Sequence, residues 1–241
     1  MSTYLNNLIQ QYCFHFIGLQ ETMIKTCDEK LLRKFDCQQD YLWLYNSAKG
    51  RSGGILVGVR KEYYDVGSFH QGEFMLQLNL GDKINKMKWN LLVVYGAAHD
   101  DLKMQFLSEL SSFCSKHSEP LVIGGDFNII RYSFERNKAG GVQRFSGLFN
   151  TLINFHELRE IVMSGEAFTW SKNQDDPLLE KLDRILISKD WEDIFPHAMV
   201  RKLPREVSDH NPLILSSGQY KPLKFIQFNF ELSWLNNPDF F

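Results

Sequence analysis

Apolar residues recur along this chain with two periods, and the alternation between them divides it into elements. At helical spacing, Tyr4, Leu5, Leu8, Ile9 and Tyr12 form a stripe over Thr3–Tyr12, and Leu102, Phe106, Leu107 and Leu110 form another over Asp100–Lys116. Leu148, Leu152 and Phe155 mark a helix over Phe145–Phe155, and one more is predicted over Asp28–Phe35. Short apolar runs bounded by turn residues predict strands at Phe14–Gly18, Gly54–Val59, Phe74–Leu80, Trp89–Tyr95, Leu121–Gly125, Phe168–Ser171, Leu182–Ile187 and Pro212–Leu215. Strands and helices mixed in this way, with hairpin signals such as Gly81-Asp82, predict an α/β fold of two packed mixed sheets flanked by helices. No internal repeat or low-complexity tract interrupts the pattern.

Composition narrows the class. With 241 residues and 44% hydrophobic content, one domain can bury a sizeable core. No apolar stretch approaches membrane-spanning length, and the first residues lack the basic-then-apolar plan of a signal peptide, so a nuclear or cytoplasmic rather than secreted protein is expected. Cys13, Cys27, Cys37 and Cys114 show no paired metal-ligand spacing and are read as free thiols, mostly buried.

Four strand ends carry chemistry. Leu121-Val122-Ile123 runs into Gly124-Gly125-Asp126-Phe127-Asn128, where two glycines allow close backbone approach to a ligand and residues two apart project to one side. Asp126 and Asn128 could then grip one water or phosphate oxygen together; a plain strand-ending turn fits the same five residues equally well. Ser208-Asp209-His210-Asn211-Pro212 places an acid and an imidazole at the mouth of another strand, and Lys181-Leu182-Asp183-Arg184-Ile185-Leu186-Ile187 holds a carboxylate inside an apolar run. A buried lone Asp is expensive unless partnered, and a histidine is its natural partner, because the carboxylate fixes the tautomer and raises the ring's basicity. Phe16-Ile17-Gly18-Leu19-Gln20-Glu21-Thr22 ends in a carboxylate, a hard oxygen ligand suited to Mg²⁺.

The ordered set LQET, VVYG, GGDFN, FTW, KLDRILIS and SDHNPL resembles the endonuclease/exonuclease/phosphatase superfamily, which includes DNase I and the abasic-site endonucleases. Within it, the stretch from Phe14 to Ser217 looks most like the endonuclease domain of plant LINE-type non-LTR retrotransposons. Each motif alone is weak, whereas six in the right order at domain-length spacing are specific.

The resemblance implies a DNase I-like four-layer α/β sandwich over residues 1–217 and a Mg²⁺-dependent endonuclease, with Mn²⁺ a second possible ion, that nicks DNA to leave a 3′-hydroxyl. It implies that Glu21 binds the metal with Asp209 as a second acid nearby, and that Asp126 with Asn128 orients and deprotonates the attacking water. His210, held by Asp183, would hydrogen-bond the scissile phosphate, and Tyr95 would contact the phosphate. Thr169 matches a position beside the DNA, and Trp170 and Arg131 are grouped with it as substrate contacts. Tyr95 and Trp170 fit equally as strand aromatics filling the core.

Net charge is only −2, so any grip on DNA must be local. Lys49 and Arg51, the Arg131–Arg144 loop with Arg136 and Lys138, Lys172, and Arg201, Lys202 and Arg205 are the basic residues placed to form a phosphate-tracking rim, and each is equally an ordinary solvated charge.

Two departures from the family pattern stand out. Relatives open with a strand carrying Asn-x-x-Gly before the first helix, whereas here Met1 starts just inside that helix, so a truncated first strand, marginal stability and weak or lost activity are expected. After Tyr95-Gly96, Ala97-Ala98 replaces the Pro and polar residue common in relatives. Residues 218–241, aromatic and Pro-punctuated, look like the connector that leads to a reverse transcriptase in LINE polyproteins. Besides a monomeric DNA endonuclease, two readings stay open: a phosphoesterase of the same superfamily acting on a small phosphate or lipid head group, and an inactive relic.

Overall fold

A computed structural model of the chain describes residues 2–48, 53–116, 119–138, 144–165, 168–172, 174–206 and 208–218. In chain order the elements are α1 (Ser2–Tyr12), β1 (Phe16–Leu19), α2 (Glu29–Leu32), β2 (Tyr41–Asn46), β3 (Ile55–Arg60), β4 (Tyr64–Gln71), β5 (Met75–Asp82), β6 (Lys88–Tyr95), α3 (Asp100–Lys116) and β7 (Leu121–Asp126). There follow α4 (Ser146–Phe155), β8 (Arg159–Glu160), β9 (Met163–Ser164), β10 (Trp170–Ser171), β11 (Leu179–Glu180), β12 (Asp183–Ile187), α5 (Lys189–Ile194), β13 (Met199–Lys202) and β14 (Leu213–Ser216).

The strands build a six-stranded mixed sheet in the order β4-β5-β6-β7-β12-β8, two three-stranded sheets, β1-β3-β2 and β14-β13-β9, and the β10-β11 ladder. Side chains two apart on a strand share a face, and that period sorts the core into layers. Ile55, Val57 and Val59 of β3 meet Leu76, Leu78 and Leu80 of β5 and Leu91 and Val93 of β6 between the sheets, with Leu215 of β14 packed against the same cluster. On the other face of the six-stranded sheet, Leu92, Val94 and Ile123 pack on Phe106, Leu110, Phe149 and Leu152 of α3 and α4. Leu56, from the outer face of β3, meets Leu5 of α1 and Phe35. Helix, sheet, sheet and helix layers result, as in the DNase I-like fold.

The strands predicted at Phe74–Leu80, Trp89–Tyr95, Leu121–Gly125 and Leu182–Ile187 are present as β5, β6, β7 and β12, largely buried on both faces. Three departures have physical reasons. The helix expected over Asp28–Phe35 closes after Leu32, because Lys34 and Phe35 bond three residues back and the chain tightens into a turn. The strand expected over Phe168–Ser171 shortens to Trp170–Ser171, because Thr169 lends its hydroxyl and backbone to neighbouring loops. β2 and β4 went unpredicted: β4 is mostly exposed and carries a register shift between Val66 and Phe69, so its sequence shows no clean alternation.

β1 pairs only with β3, and no strand among the described residues lies along its second edge. Lys49, Arg51 and the connector after Gly218 lie outside the described residues. The four cysteines are free, as expected, but none is buried: Cys13 and Cys37 are exposed and Cys27 and Cys114 half-buried. No described helix is long and apolar enough to cross a membrane.

Candidate active site

Three strands bring the central residues into one row. β7 runs parallel to β6 and antiparallel to β12, and the register sets Tyr95 beside Asp126 and Asp126 beside Asp183. Neighbouring strands lie about 4.8 Å apart, so Tyr95 and Asp183, far apart in the chain, flank Asp126 on either side at the same end of the sheet. The glycines that permit this serve the backbone, not a ligand. A Cβ on Gly125, where φ is +139°, would stand 2.1 Å from the Val94 carbonyl oxygen, and one on Gly96 would stand 2.3 Å from that of Phe127. The close approach read from Gly124-Gly125 is thus strand against strand: a Cβ on Gly124 would press on the Ile185 side chain.

Beyond Asp126 the chain turns sharply through Asn128, at φ +52°. The Asn128 backbone N–H donates to Asp126 Oδ1 at 2.8 Å, and its side-chain Nδ2 donates to Asp126 Oδ2 at 2.8 Å and to the Gly96 carbonyl at 3.0 Å. Turn and site, the two readings of GGDFN, are here the same object: the Asx geometry of the turn is what aims the carboxylate.

His210 arrives from the loop before β14, tethered to β10. Ser171 N–H donates to the Asp209 carbonyl and Asn211 N–H to that of Thr169. Its Nδ1 lies 2.8 Å from Asp183 Oδ2, and Asp126, Asp183 and His210 present ligand-type atoms within 4.8 Å of one another. Asp209 is exposed and accepts from Trp170 Nε1 at 2.8 Å, and the Trp170 and His210 rings sit 6.5 Å apart. Glu21, also exposed, follows β1 with φ +51°.

The electrostatics record how much negative charge this edge collects. Burial, with Asp126 only 4% exposed, pushes its carboxyl up to about 7; the charge of Asp183 adds to the rise and Glu21 adds a little more, against the pull of His210 and the Asn128 N–H. Burial opposes the charged imidazole of His210, but the hydrogen bond and charge of Asp183, with Asp126 and Asp209 behind it, outweigh that and hold it up at about 9. Burial, then the charges of Glu21 and Asp126, push the Tyr95 phenol far above its ordinary value. Glu21 and Asp209 therefore lie close enough to act on the row.

Three of the substrate-side expectations change character. Thr169 is 0% exposed, and its hydroxyl accepts from the backbone N–H groups of Leu182 and Asp183 at 3.0 Å each, so it shapes the strand carrying Asp183 and does not reach a ligand. Trp170 braces Asp209. Arg131 is turned inward, donating to Asn150 Oδ1, Glu160 and the Tyr132 hydroxyl. Several basic residues of the expected rim are likewise engaged: Arg136 with Glu180, Lys138 with Asp176, Lys202 with the Phe168 carbonyl and Arg201 over the Tyr12 ring. Lys172 is exposed.

Sequence reasoning missed Arg184 and Glu135, both buried. The available signal was a second charge in the apolar strand: next to Asp183, Arg184 points to the opposite face and needs its own partner.

An oxygen-rich donor set around a single imidazole fits a hard divalent cation. Asp126 and Asp183 meet His210 there, the charges of Glu21 and Asp209 act on the row, and burial first, then the charge of Asp183, raises the Asp126 pKa, a state that a nearby 2+ charge would reverse. Among curated proteins, no sequence matches the chain. Solved structures of similar fold include the AP endonuclease LMAP from Leishmania major (14% identity, TM-score 0.67, covering 88% of this chain and 80% of that one). The 3′ phosphatase NExo from Neisseria, bound to product DNA hairpin, is another (17% identity, TM-score 0.68, 89% and 93% covered). The endonuclease domain of TRAS1, a telomere-specific non-LTR retrotransposon, is a third (13% identity, TM-score 0.68, 89% and 90% covered). At such identities these likenesses speak for the fold, but a family model matches residues 2–210, and with the six motifs now seen to meet at one sheet edge, the chain belongs to the Endonuclease/Exonuclease/phosphatase family.

Proposed function

We propose that this chain is a Mg²⁺-dependent DNA endonuclease of the retrotransposon type, which hydrolyses a phosphodiester to leave a 3′-hydroxyl. The observation that carries the reading is the register row Tyr95–Asp126–Asp183 with His210 held 2.8 Å from Asp183. Asp126, oriented by both Asn128 bonds, takes the proton of the attacking water; a base whose pKa lies near the working pH is well matched to that task. Asp183 fixes the His210 tautomer through Nδ1, leaving Nε2–H as a donor to a non-bridging phosphate oxygen. Tyr95, whose phenol stays protonated, is a second donor to the phosphate. Glu21, with Asp209 beside it, would hold the metal, which when bound supplies charge neutralisation for the phosphate and the departing 3′ oxygen.

The same reading makes DNA the partner and expects a monomer in the nucleus or cytoplasm, next to a reverse transcriptase in a full-length relative of the plant LINE type.

A second reading has support in the likeness to a 3′ phosphatase: a phosphoesterase acting on a terminal or small-molecule phosphate. Nicking of supercoiled plasmid with Mg²⁺ or EDTA, beside phosphate release from 3′-phosphorylated DNA and from inositol phosphates, separates them. The endonuclease reading expects Mg²⁺-dependent nicks that a DNA polymerase extends without prior phosphatase treatment. Phosphate release without nicking would replace it with the second reading, and no turnover in any assay would leave a folded but inactive relative.

A further inference from the structure

Directly beneath the row lies a buried charge cluster that the proposed chemistry does not use. Arg184 follows Asp183 on β12 and projects to the opposite face, with its side chain fully buried over the Phe149 ring. Its guanidinium meets the Glu135 carboxylate at 3.2 Å through both terminal nitrogens and Glu160 Oε2 at 3.2 Å. It also donates to two backbone carbonyls, Ile129 at 3.1 Å and Lys181 at 2.7 Å. Those carbonyls are not arbitrary. Ile129 follows Asn128, and Lys181 lies two residues before Asp183.

We infer that Arg184 is a positioning residue, a clamp that fixes the turn bearing Asn128 and the strand entry bearing Asp183 against each other from below. This rests on the reading of Asp126, Asn128 and Asp183 as the reactive centre. Asn128 sits in the left-handed region, which asparagine enters more readily than most side chains, so the turn itself is permitted and its placement against β12 is what needs fixing. On its upper side Asn128 is held by Asp126 and Gly96; on its lower side the next carbonyl is held by Arg184.

Glu135 closes the circuit. Its Oε2 accepts from Arg131 N–H at 2.5 Å, folding the loop after Asn128 back onto the guanidinium, and its own carbonyl accepts from Lys181 N–H at 2.9 Å. A lysine at 184 would keep the charge but not the planar fork that reaches two carbonyls and two carboxylates together. Stability alone does not demand this arrangement, because buried ion pairs are often replaceable by well-packed apolar groups. The contacts to the two site-bearing segments are what set Arg184 apart from its neighbours in the cluster.

The test compares Arg184→Lys and the double variant Arg184→Met/Glu135→Gln with Glu160→Gln, which loosens the same cluster while leaving both carbonyl contacts. For each, plasmid nicking is resolved into kcat and KM, and the His210 Nδ1–H and Asn128 side-chain amide resonances are followed by NMR in Mg²⁺-free protein at fixed pH. Both Arg184 variants should lose about 10- to 100-fold in kcat, the scale of an ångström-level misplacement, with KM for DNA within about twofold and both resonances shifted. Glu160→Gln should lower the thermal midpoint yet keep kcat and the resonances. If the double variant does not fold, Arg184→Lys gives the same readout. Wild-type kcat and unmoved resonances in Arg184→Lys would overturn the clamp. A wild-type chain that nicks nothing would fail the endonuclease reading instead, and the resonances would then decide the clamp alone.

Discussion

β12 separates two buried charge clusters that differ in balance. On the Asp183 face, Asp126 and Asp183 crowd one imidazole with Glu21 and Asp209 nearby, and Asp126 is driven up to about 7. On the Arg184 face, Glu135 and Glu160 meet Arg131, Lys181 and Arg184. Burial there too opposes ionisation of Glu160, but Arg184, Lys181 and Arg131 overcome it and hold its carboxyl down at about 2. One is compensated, and the other, open to solvent at Glu21 and Asp209, carries excess negative charge. Perturbed pKa values accompany function where the perturbation is uncompensated, and the compensated cluster serves as the floor on which the other is built.

Breaking the uncompensated side should affect rate most. His210→Ala removes the phosphate donor and should cost about 10²- to 10⁴-fold in the rate of plasmid nicking, and below pH 9 it should also lower the thermal midpoint, because Asp183 loses its partner. A wild-type rate in that variant would remove His210 from the mechanism.

On the compensated side, loss of a carboxylate should show first in stability. Glu135→Ala strands Arg184 in the interior and should lower the free energy of unfolding by about 3–5 kcal/mol in urea melts, a large share of the roughly 5–15 kcal/mol available to a typical domain. A change below 1 kcal/mol would mean that water reaches the cluster.

A third variant sharpens the contrast by reversing the sign. Asp126→Asn removes repulsion from the crowded edge, so in EDTA it should keep or raise the thermal midpoint by a few degrees, the scale of about 1 kcal/mol for a chain this long, while abolishing nicking. A lower midpoint would show Asp126 to be stabilising as it stands.

The smallest effect is in pH. His210 sits at about 9, above its ordinary 6.5, so the stability it adds is complete below pH 6.5 and is lost as pH rises through 9. Asp126, at about 7, is favoured in its neutral form, and ionising it lowers stability between pH 3.8 and 7. Both trends run the same way, so the metal-free thermal midpoint should fall from pH 6.5 to pH 9, less steeply in His210→Gln. An equally steep fall in that variant would assign the slope to other groups.

What could be read from the sequence follows the same division. Asp126, Asp183 and His210 stand in or beside apolar runs, where local pattern marks them, whereas Tyr95 is singled out only through the family resemblance. The Glu135–Arg184 pair spans 49 residues and exists only because β7 and β12 are neighbours, which no local pattern records. Thr169 matched a motif correctly, yet its hydroxyl faces the backbone of Leu182 and Asp183; a motif fixes a residue's place in the chain, not the direction of its side chain. β2 escaped notice because Tyr41-Leu42-Trp43-Leu44-Tyr45 is apolar throughout and lies at a half-exposed sheet edge, so neither alternation nor a fully buried run gives it away.

The central claim, that the uncompensated edge is a metal-dependent phosphodiesterase centre, is tested most directly by plasmid nicking with wild-type chain and Asp126→Asn in parallel, each with Mg²⁺ and with EDTA. The account predicts nicks with 3′-hydroxyl ends from the wild type with Mg²⁺ alone, and none from the other three reactions. Equal nicking by wild type and Asp126→Asn, or nicking that EDTA does not suppress, would contradict it.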